Sequence, residues 1–197
     1  MYKILATGAA VGLMTVSAHG VNIYAMNNLN GGGGAGTQNS LIVFDSANPA
    51  GWVSLGTTGL ADRGFTGLDF HNNGNLYGYV GFGGTGFVAG LYQINVANGA
   101  ATQVGNLSGQ ALQDLAYNPA DGKMYGINSV ANVATLFEVN VNTGAVVAVG
   151  NFTGLPATNL EVGLACDAQG NFYVHDIASD GIFNGAGLAL NPTPLYH

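Results

Sequence analysis

Charge is scarce in this 197-residue chain: 7% of residues are charged, three Lys and Arg against ten Asp and Glu. An ordinary soluble domain carries roughly a quarter. The net charge of −7 leaves no basic patch to neutralise phosphates, which excludes a nucleic-acid binder. The single cysteine, Cys166, cannot close an internal disulfide, so stability must rest on apolar burial and backbone pairing. It lies in the apolar run Val162-Gly-Leu-Ala-Cys166 and reads as a buried, inert thiol. After the first twenty residues no run reaches the ~18 apolar residues of a membrane span, and helical periodicity is absent. Catalytic signatures are missing too: there is no Gly-x-Ser-x-Gly elbow, no His-Glu-x-x-His and no paired-cysteine metal motif.

What is present begins with a leader. Lys3 precedes the uncharged apolar stretch from Ile4 to Val16, and Val16-Ser17-Ala18 supplies a small-residue cleavage pattern, so residues 1–18 read as a secretory signal peptide. About thirteen apolar residues are too few to span a bilayer comfortably. The expected location is therefore secreted or extracytoplasmic, with no membrane span after cleavage. Loss of Lys3 leaves Arg63 and Lys123 as the only strong cations against the ten acids, which favours basic partners or multivalent cations.

The remainder, 19–197, is read as one domain built from a repeat. Leu68-Asp-Phe-His-Asn-Asn-Gly74-Asn-Leu-Tyr77-Gly78 recurs as Leu115-Ala-Tyr-Asn-Pro-Ala-Asp-Gly122-Lys-Met-Tyr125-Gly126, then as Leu164-Ala-Cys-Asp-Ala-Gln-Gly170-Asn-Phe-Tyr173. The tyrosines stand 48 residues apart each time. A second half, Leu91-Tyr-Gln-Ile-Asn95 through Gly105, matches Leu136-Phe-Glu-Val-Asn140 through Gly150, and a looser copy runs through Tyr24 and Leu41 to Gly56. Gly74, Gly122 and Gly170 sit where a tight hairpin needs positive φ, while Asn98-Gly99 and Thr143-Gly144 mark a second hairpin. Leu91 to Val96 and Leu136 to Val141 alternate apolar with polar residues, as half-buried antiparallel strands do.

Four short strands per unit of about 45 to 50 residues predict an all-β, propeller-like array of four-stranded antiparallel blades. The units fall at about 21–60, 65–108, 112–155 and 160–197, about three and a half repeats. Tyr24 aligns with a second strand, so the opening unit lacks its first. At the other end, Pro194-Leu195-Tyr196-His197 resembles the start of an outer hairpin such as Leu91-Tyr92. A truncated chain and an incomplete ring with open edges both fit this pattern. A third reading pairs Gly187-Leu-Ala-Leu-Asn-Pro192, which resembles Asp114-Leu-Ala-Tyr-Asn-Pro119, with the first unit to close the ring. Open edges invite oligomerisation.

Leu41-Ile-Val-Phe-Asp-Ser-Ala-Asn-Pro49, Phe65-Thr-Gly-Leu-Asp-Phe70, Asn75-Leu-Tyr-Gly78 and Leu91-Tyr-Gln-Ile-Asn95 with Ala100-Ala-Thr-Gln-Val-Gly105 together resemble a family of exported bacterial propeller-like proteins classed as a domain of unknown function. The likeness covers about residues 21–185. It implies an exported repeat domain and carries over no reaction, cofactor or catalytic residue.

Ionisable candidates are Asp62, Arg63, Asp69, His71, Asp114, Glu161, Asp167, His175 and Asp176. Asp69, Asp114 and Glu161 fall near the first strand of successive units, where carboxylates facing one channel can hold a cation such as calcium or work as acid and base. They do not share one alignment column, which favours strand-end solvation and turn capping instead. His175 and Asp176 are adjacent on a strand and so face opposite sides. Convergence of Asp69, Asp114 or Glu161 with His71 or His175 is the condition for an enzyme, a propeller-type hydrolase or lyase. Gly31 to Gly34 lacks the Lys-Ser/Thr of a phosphate loop and reads as an inter-strand loop, and Asp121-Gly122 and Asp167 to Asn171 read as hairpin turns rather than calcium loops. Tyr79, Phe82 and Phe87 flank a glycine-rich loop as an exposed stacking platform for sugars, whereas the repeated Tyr77, Tyr125 and Tyr173 read as packing between blades. The favoured function is an exported, non-enzymatic binding or structural module whose partner is a cell-surface glycan or envelope protein.

Overall fold

A computed structural model describes residues 20–27, 38–130, 133–153, 160–177 and 195–196, with the side chains of 38, 160–162, 175–177 and 195–196 left out. The leader at 1–18, the glycine run at 31–34 and the segment 187–192 lie outside the described residues. No described helix is long and apolar enough to cross a membrane.

Among the described residues, fourteen strands form four antiparallel sheets. The first holds β1 (Asn22–Asn27), β2 (Gln38–Asp45) and β3 (Asn48–Ala61) in that order. The second holds β4 (Arg63–Phe70), β5 (Leu76–Gly83), β6 (Gly90–Ile94) and β7 (Ala101–Gln103). The third repeats that plan with β8 (Asp114–Asn118), β9 (Lys123–Val130), β10 (Val133–Val139) and β11 (Val146–Asn151). The fourth holds β12 (Leu160–Cys166), β13 (Phe172–Ile177) and β14 (Leu195–Tyr196). The expected propeller-like array of antiparallel sheets is thus observed, with two sheets of four strands flanked by two of three.

The repeat in sequence is a repeat in register. Tyr77 faces Gln93 across β5 and β6, and Tyr125 faces Glu138 across β9 and β10. At the far end Val174 faces Tyr196 and His175 faces Leu195, as Gly78 faces Tyr92 and Tyr79 faces Leu91. Leu195-Tyr196 therefore occupies the place of a third strand, as its likeness to Leu91-Tyr92 suggested. The hairpin glycines adopt the left-handed φ their turns require, +83° at Gly74, +75° at Gly122 and +89° at Gly170.

Strand alternation sends neighbouring side chains to opposite interfaces. From β5, Leu76 and Val80 pack toward the first sheet with Leu41, Phe65 and Ile94. Tyr77 and Tyr79 of the same strand pack toward the third sheet with Leu112, Leu115 and Met124. Tyr125 and Ile127 then meet Leu164 and Val174 of the fourth sheet, and the Tyr125 and Phe172 rings stand edge-on at 5.0 Å. The core is thus three slabs between sheets, and Tyr77 and Tyr125 pack between blades as read from the repeat. Cys166 is half-buried against the third slab rather than fully buried, because it closes a strand at the edge of that slab. Burial first, then the charges of Asp167, Asp121 and Asp69, raise its thiol pKa.

Neighbouring sheets also touch through their outer hairpins. A Cβ on Gly105 would stand 1.9 Å from the Thr143 carbonyl oxygen, and one on Gly56 would stand 2.0 Å from that of Asn98. These glycines let the last strand of one sheet, or the residues just after it, lie against the outer turn of the next.

Candidate functional site

The first strands of the third and fourth sheets, β8 and β12, each have one strand partner among the described residues, so the other edge carries backbone N–H groups without a ladder. Carboxylates from the preceding sheet meet these donors. Asp69 of β4 accepts from the Tyr117 N–H of β8 at 2.7 Å through Oδ2, and from the Phe70 N–H at 2.7 Å through Oδ1. Asp114 of β8 repeats the pattern one sheet later, accepting from the Leu164 N–H of β12 and the Leu115 N–H, both at 2.8 Å. Each carboxylate joins its own strand to the next sheet's first strand.

Burial raises the Asp69 carboxyl above its ordinary value against the lowering effect of its two backbone hydrogen bonds. Asp114 is pushed up to about 6, first by burial and last by the nearby charge of Asp69, while the Leu164 and Leu115 N–H groups pull it down.

His71 spans the same interface at the hairpin. Its Nδ1 faces the Asn73 N–H at 3.2 Å and its Nε2 faces the Gly122 carbonyl of the next hairpin at 3.1 Å. Those partners assign the proton to Nε2. The ring stands edge-on to Tyr117 at 5.1 Å. No hydrogen bond joins His71 to either carboxylate among the described residues. Glu161 pairs with Asp176 in the β12–β13 register and His175 with Gly163, but the side chains of Glu161, His175 and Asp176 lie outside the described residues.

Two further acids serve turns. Asp167 accepts from the Gln169 and Asn171 backbones, the Asn171 side chain and the Tyr173 hydroxyl, and these bonds hold its carboxyl below the ordinary range. Asp121 accepts from the Lys123 N–H and, at 2.6 Å, from the Tyr125 hydroxyl. No cluster of three or more potential metal ligands occurs among the described residues. Asp62 takes a left-handed φ of +54°, and its buried Oδ1 has no hydrogen-bond partner among the described residues. Arg63 donates to the Asp62 carbonyl and lies over the Phe87 ring at 5.8 Å.

Tyr79 departs from the expected sugar platform. It is fully buried, with its hydroxyl bonded to Ser108 at 2.7 Å and to the Gln110 carbonyl at 2.5 Å. Its position in β5, in phase with Tyr77, turns it into the slab between the second and third sheets. Phe82 is exposed and Phe87 partly buried, so the three do not form one open surface.

Motif reading missed a cavity of about 310 Å³ at the hairpin end of the second sheet, lined by Asn75, Gln93, Asn95 and Thr102 over Leu76, Ile94 and Val96. None of the ionisable candidates lines it. The signal that could have found it is a column comparison: Asn75 aligns with Lys123 and Gln93 with Glu138.

Residues 102–191 match a family model. That family is described as a repeat of unknown function (DUF6923), and the matched stretch runs from β7 through β13. Over that stretch the chain carries a β-sheet repeat of a kind whose function is unknown, as the resemblance implied. No curated protein matches the sequence. Among solved structures the chain is similar to a puromycin hydrolase S511A mutant complexed with PGG, at 14% identity and a TM-score of 0.37. The alignment covers 71% of this chain and 23% of the hydrolase, so this chain spans about a quarter of that protein's length. Likeness at that level carries no activity to this chain.

Proposed function

We propose that this chain is an exported, non-enzymatic repeat domain that serves as a binding or structural module at or outside the cell surface. One observation carries the reading. The polar atoms of Asp69, Asp114 and His71 are spent on backbone groups that join one sheet to the next. A group whose polar atoms are committed to backbone partners at a joint between sheets is not presented to a substrate. The leader pattern of residues 1–18 supports export.

Two experiments test this. Expression of the full chain in a secreting bacterium, followed by N-terminal sequencing of the medium or envelope fraction, should give a mature protein beginning at His19. Retention of the leader in the cytoplasm overturns the export half. For the other half, ester, lactone and glycoside substrates are offered to wild type and Asp114→Asn. No turnover above background is expected from either. Turnover that Asp114→Asn abolishes at unchanged Tm overturns the non-enzymatic reading.

That result would favour the alternative, a propeller-type hydrolase or lyase using channel carboxylates and a histidine with a bound cation such as calcium. One feature supports it: Asp114 titrates near 6, in the range useful for acid–base work. A calcium-dependent rise in Tm, reversed by chelator, would accompany it.

A further inference from the structure

We propose that the cavity at the hairpin end of the second sheet binds a neutral sugar, an inference that rests on the binding-module reading and gives it a ligand class. Three observations converge. First, the lining is polar without charge: Asn75, Gln93, Asn95 and Thr102 surround it, and no Asp, Glu, Lys, Arg or His does. A charged ligand would find no counter-ion there.

Second, the side chains of Asn75, Gln93 and Thr102 make no hydrogen bond with other described residues, so their donors and acceptors are free to turn inward. The Asn95 side-chain Oδ1 accepts from the Ala97 N–H at 2.9 Å and leaves the side-chain NH2 group available. A carboxamide presents one donor and one acceptor side by side, which matches a vicinal pair of hydroxyls that both give and accept. Val96, exposed at the rim, supplies apolar surface for the C–H face of a sugar ring. The volume of about 310 Å³ lies at the lower end for small-molecule sites, which suits one or two saccharide units.

Third, the third sheet carries charge at the same place. The register that sets Gln93 opposite Tyr77 and Thr102 sets Glu138 opposite Tyr125 and Val147. There Lys123 and Glu138 form an ion pair at 2.8 Å, and a valine replaces the threonine. The uncharged version belongs to the second sheet.

The test titrates isotope-labelled full-chain protein with D-glucose, N-acetyl-D-glucosamine and maltose, with D-glucuronate as the charged control, while following amide resonances. At least one neutral sugar should shift Asn75, Gln93, Asn95 and Thr102 with Kd about 1 mM, and glucuronate should bind several-fold more weakly. The variant N75K/Q93E copies the ion pair of the third sheet and should weaken sugar binding by about tenfold or more at unchanged Tm. Thr102→Val, which copies Val147, gives a second readout with an expected loss of about threefold.

Absence of any shift up to about 50 mM sugar, shifts confined to other residues, or equal affinity in both variants overturns the sugar site. If those failures come with secreted protein free of turnover, the module reading stands and only its ligand class is wrong. Asp114-dependent turnover overturns the reading itself.

Discussion

The second and third sheets follow one plan yet solve two shared problems differently. At the hairpin end, Asn75, Gln93 and Thr102 leave a cavity where Lys123 and Glu138 form an ion pair beside Val147. At the first strand, the second sheet reaches its neighbour with Asp69, and the third does so with Asp114, which aligns with Gly67 rather than with Asp69. A Cβ on Gly67 would stand 2.3 Å from the Leu115 nitrogen, so that column must stay empty where β4 approaches β8. The repeat preserves a need, an acceptor for an open strand edge, without preserving the position that meets it.

The largest expected difference between the two sheets lies in a glycine they share. Gly105 and Gly150 align, but Gly105 has φ +56° and abuts the Thr143 carbonyl, whereas a Cβ on Gly150 meets nothing within 4 Å among the described residues. Gly105→Ala should cost roughly 3 kcal/mol or more, from left-handed strain plus a backbone collision, while Gly150→Ala should stay within about 0.5 kcal/mol. Denaturant unfolding of both variants measures the contrast, and equal costs would mean the two outer hairpins are packed alike.

Titration of the two carboxylates comes next. Burial lifts the Asp114 carboxyl to about 6 from the 3.8 of an ordinary aspartate, so between those values the folded state holds the proton and the unfolded state does not. Stability should therefore be highest near pH 4 and fall as pH rises to about 6.5, by about 3 kcal/mol from this group. Asp69 is raised in the same direction and adds to the slope. Tm measured across this range should decline, and Asp114→Asn should flatten the profile more than Asp69→Asn does. A flat wild-type profile would show that Asp114 is hydrated.

A smaller gain is expected at the crossover from the first sheet to the second. Asp62→Gly removes left-handed strain and an unpartnered buried oxygen, and should stabilise the protein by about 1 to 2 kcal/mol in the same unfolding assay. A loss instead would mean that Asp62 has a partner in solution. The smallest effect belongs to the ion pair. Lys123→Asn with Glu138→Gln exchanges the third sheet's side chains for those of the second, and because both are largely exposed, Tm should move by no more than about 2 °C. A larger shift would show that the pair organises its sheet.

Most of the architecture was legible because it depends on local chemistry. The 48-residue spacing of Tyr77, Tyr125 and Tyr173 and the hairpin glycines announced the sheets, and the likeness of Leu195-Tyr196 to Leu91-Tyr92 announced a third strand. The candidate site was legible only as a set of residue types. Asp69 and Asp114 were visible near successive first strands, but their partners, Tyr117 and Leu164, lie 48 and 50 residues away. Tyr79 was misread as exposed because a tyrosine beside a glycine-rich loop gives no sign that its hydroxyl meets Ser108 and Gln110.

The amino-acid order by itself determined the strands, their turns and the repeat, since alternation and left-handed glycines act over a few residues. Only the tertiary structure decided which carboxylates became joints and where a cavity formed. Those outcomes depend on how closely one sheet lies against the next, a distance set by packing across the slabs and by side chains dozens of residues apart.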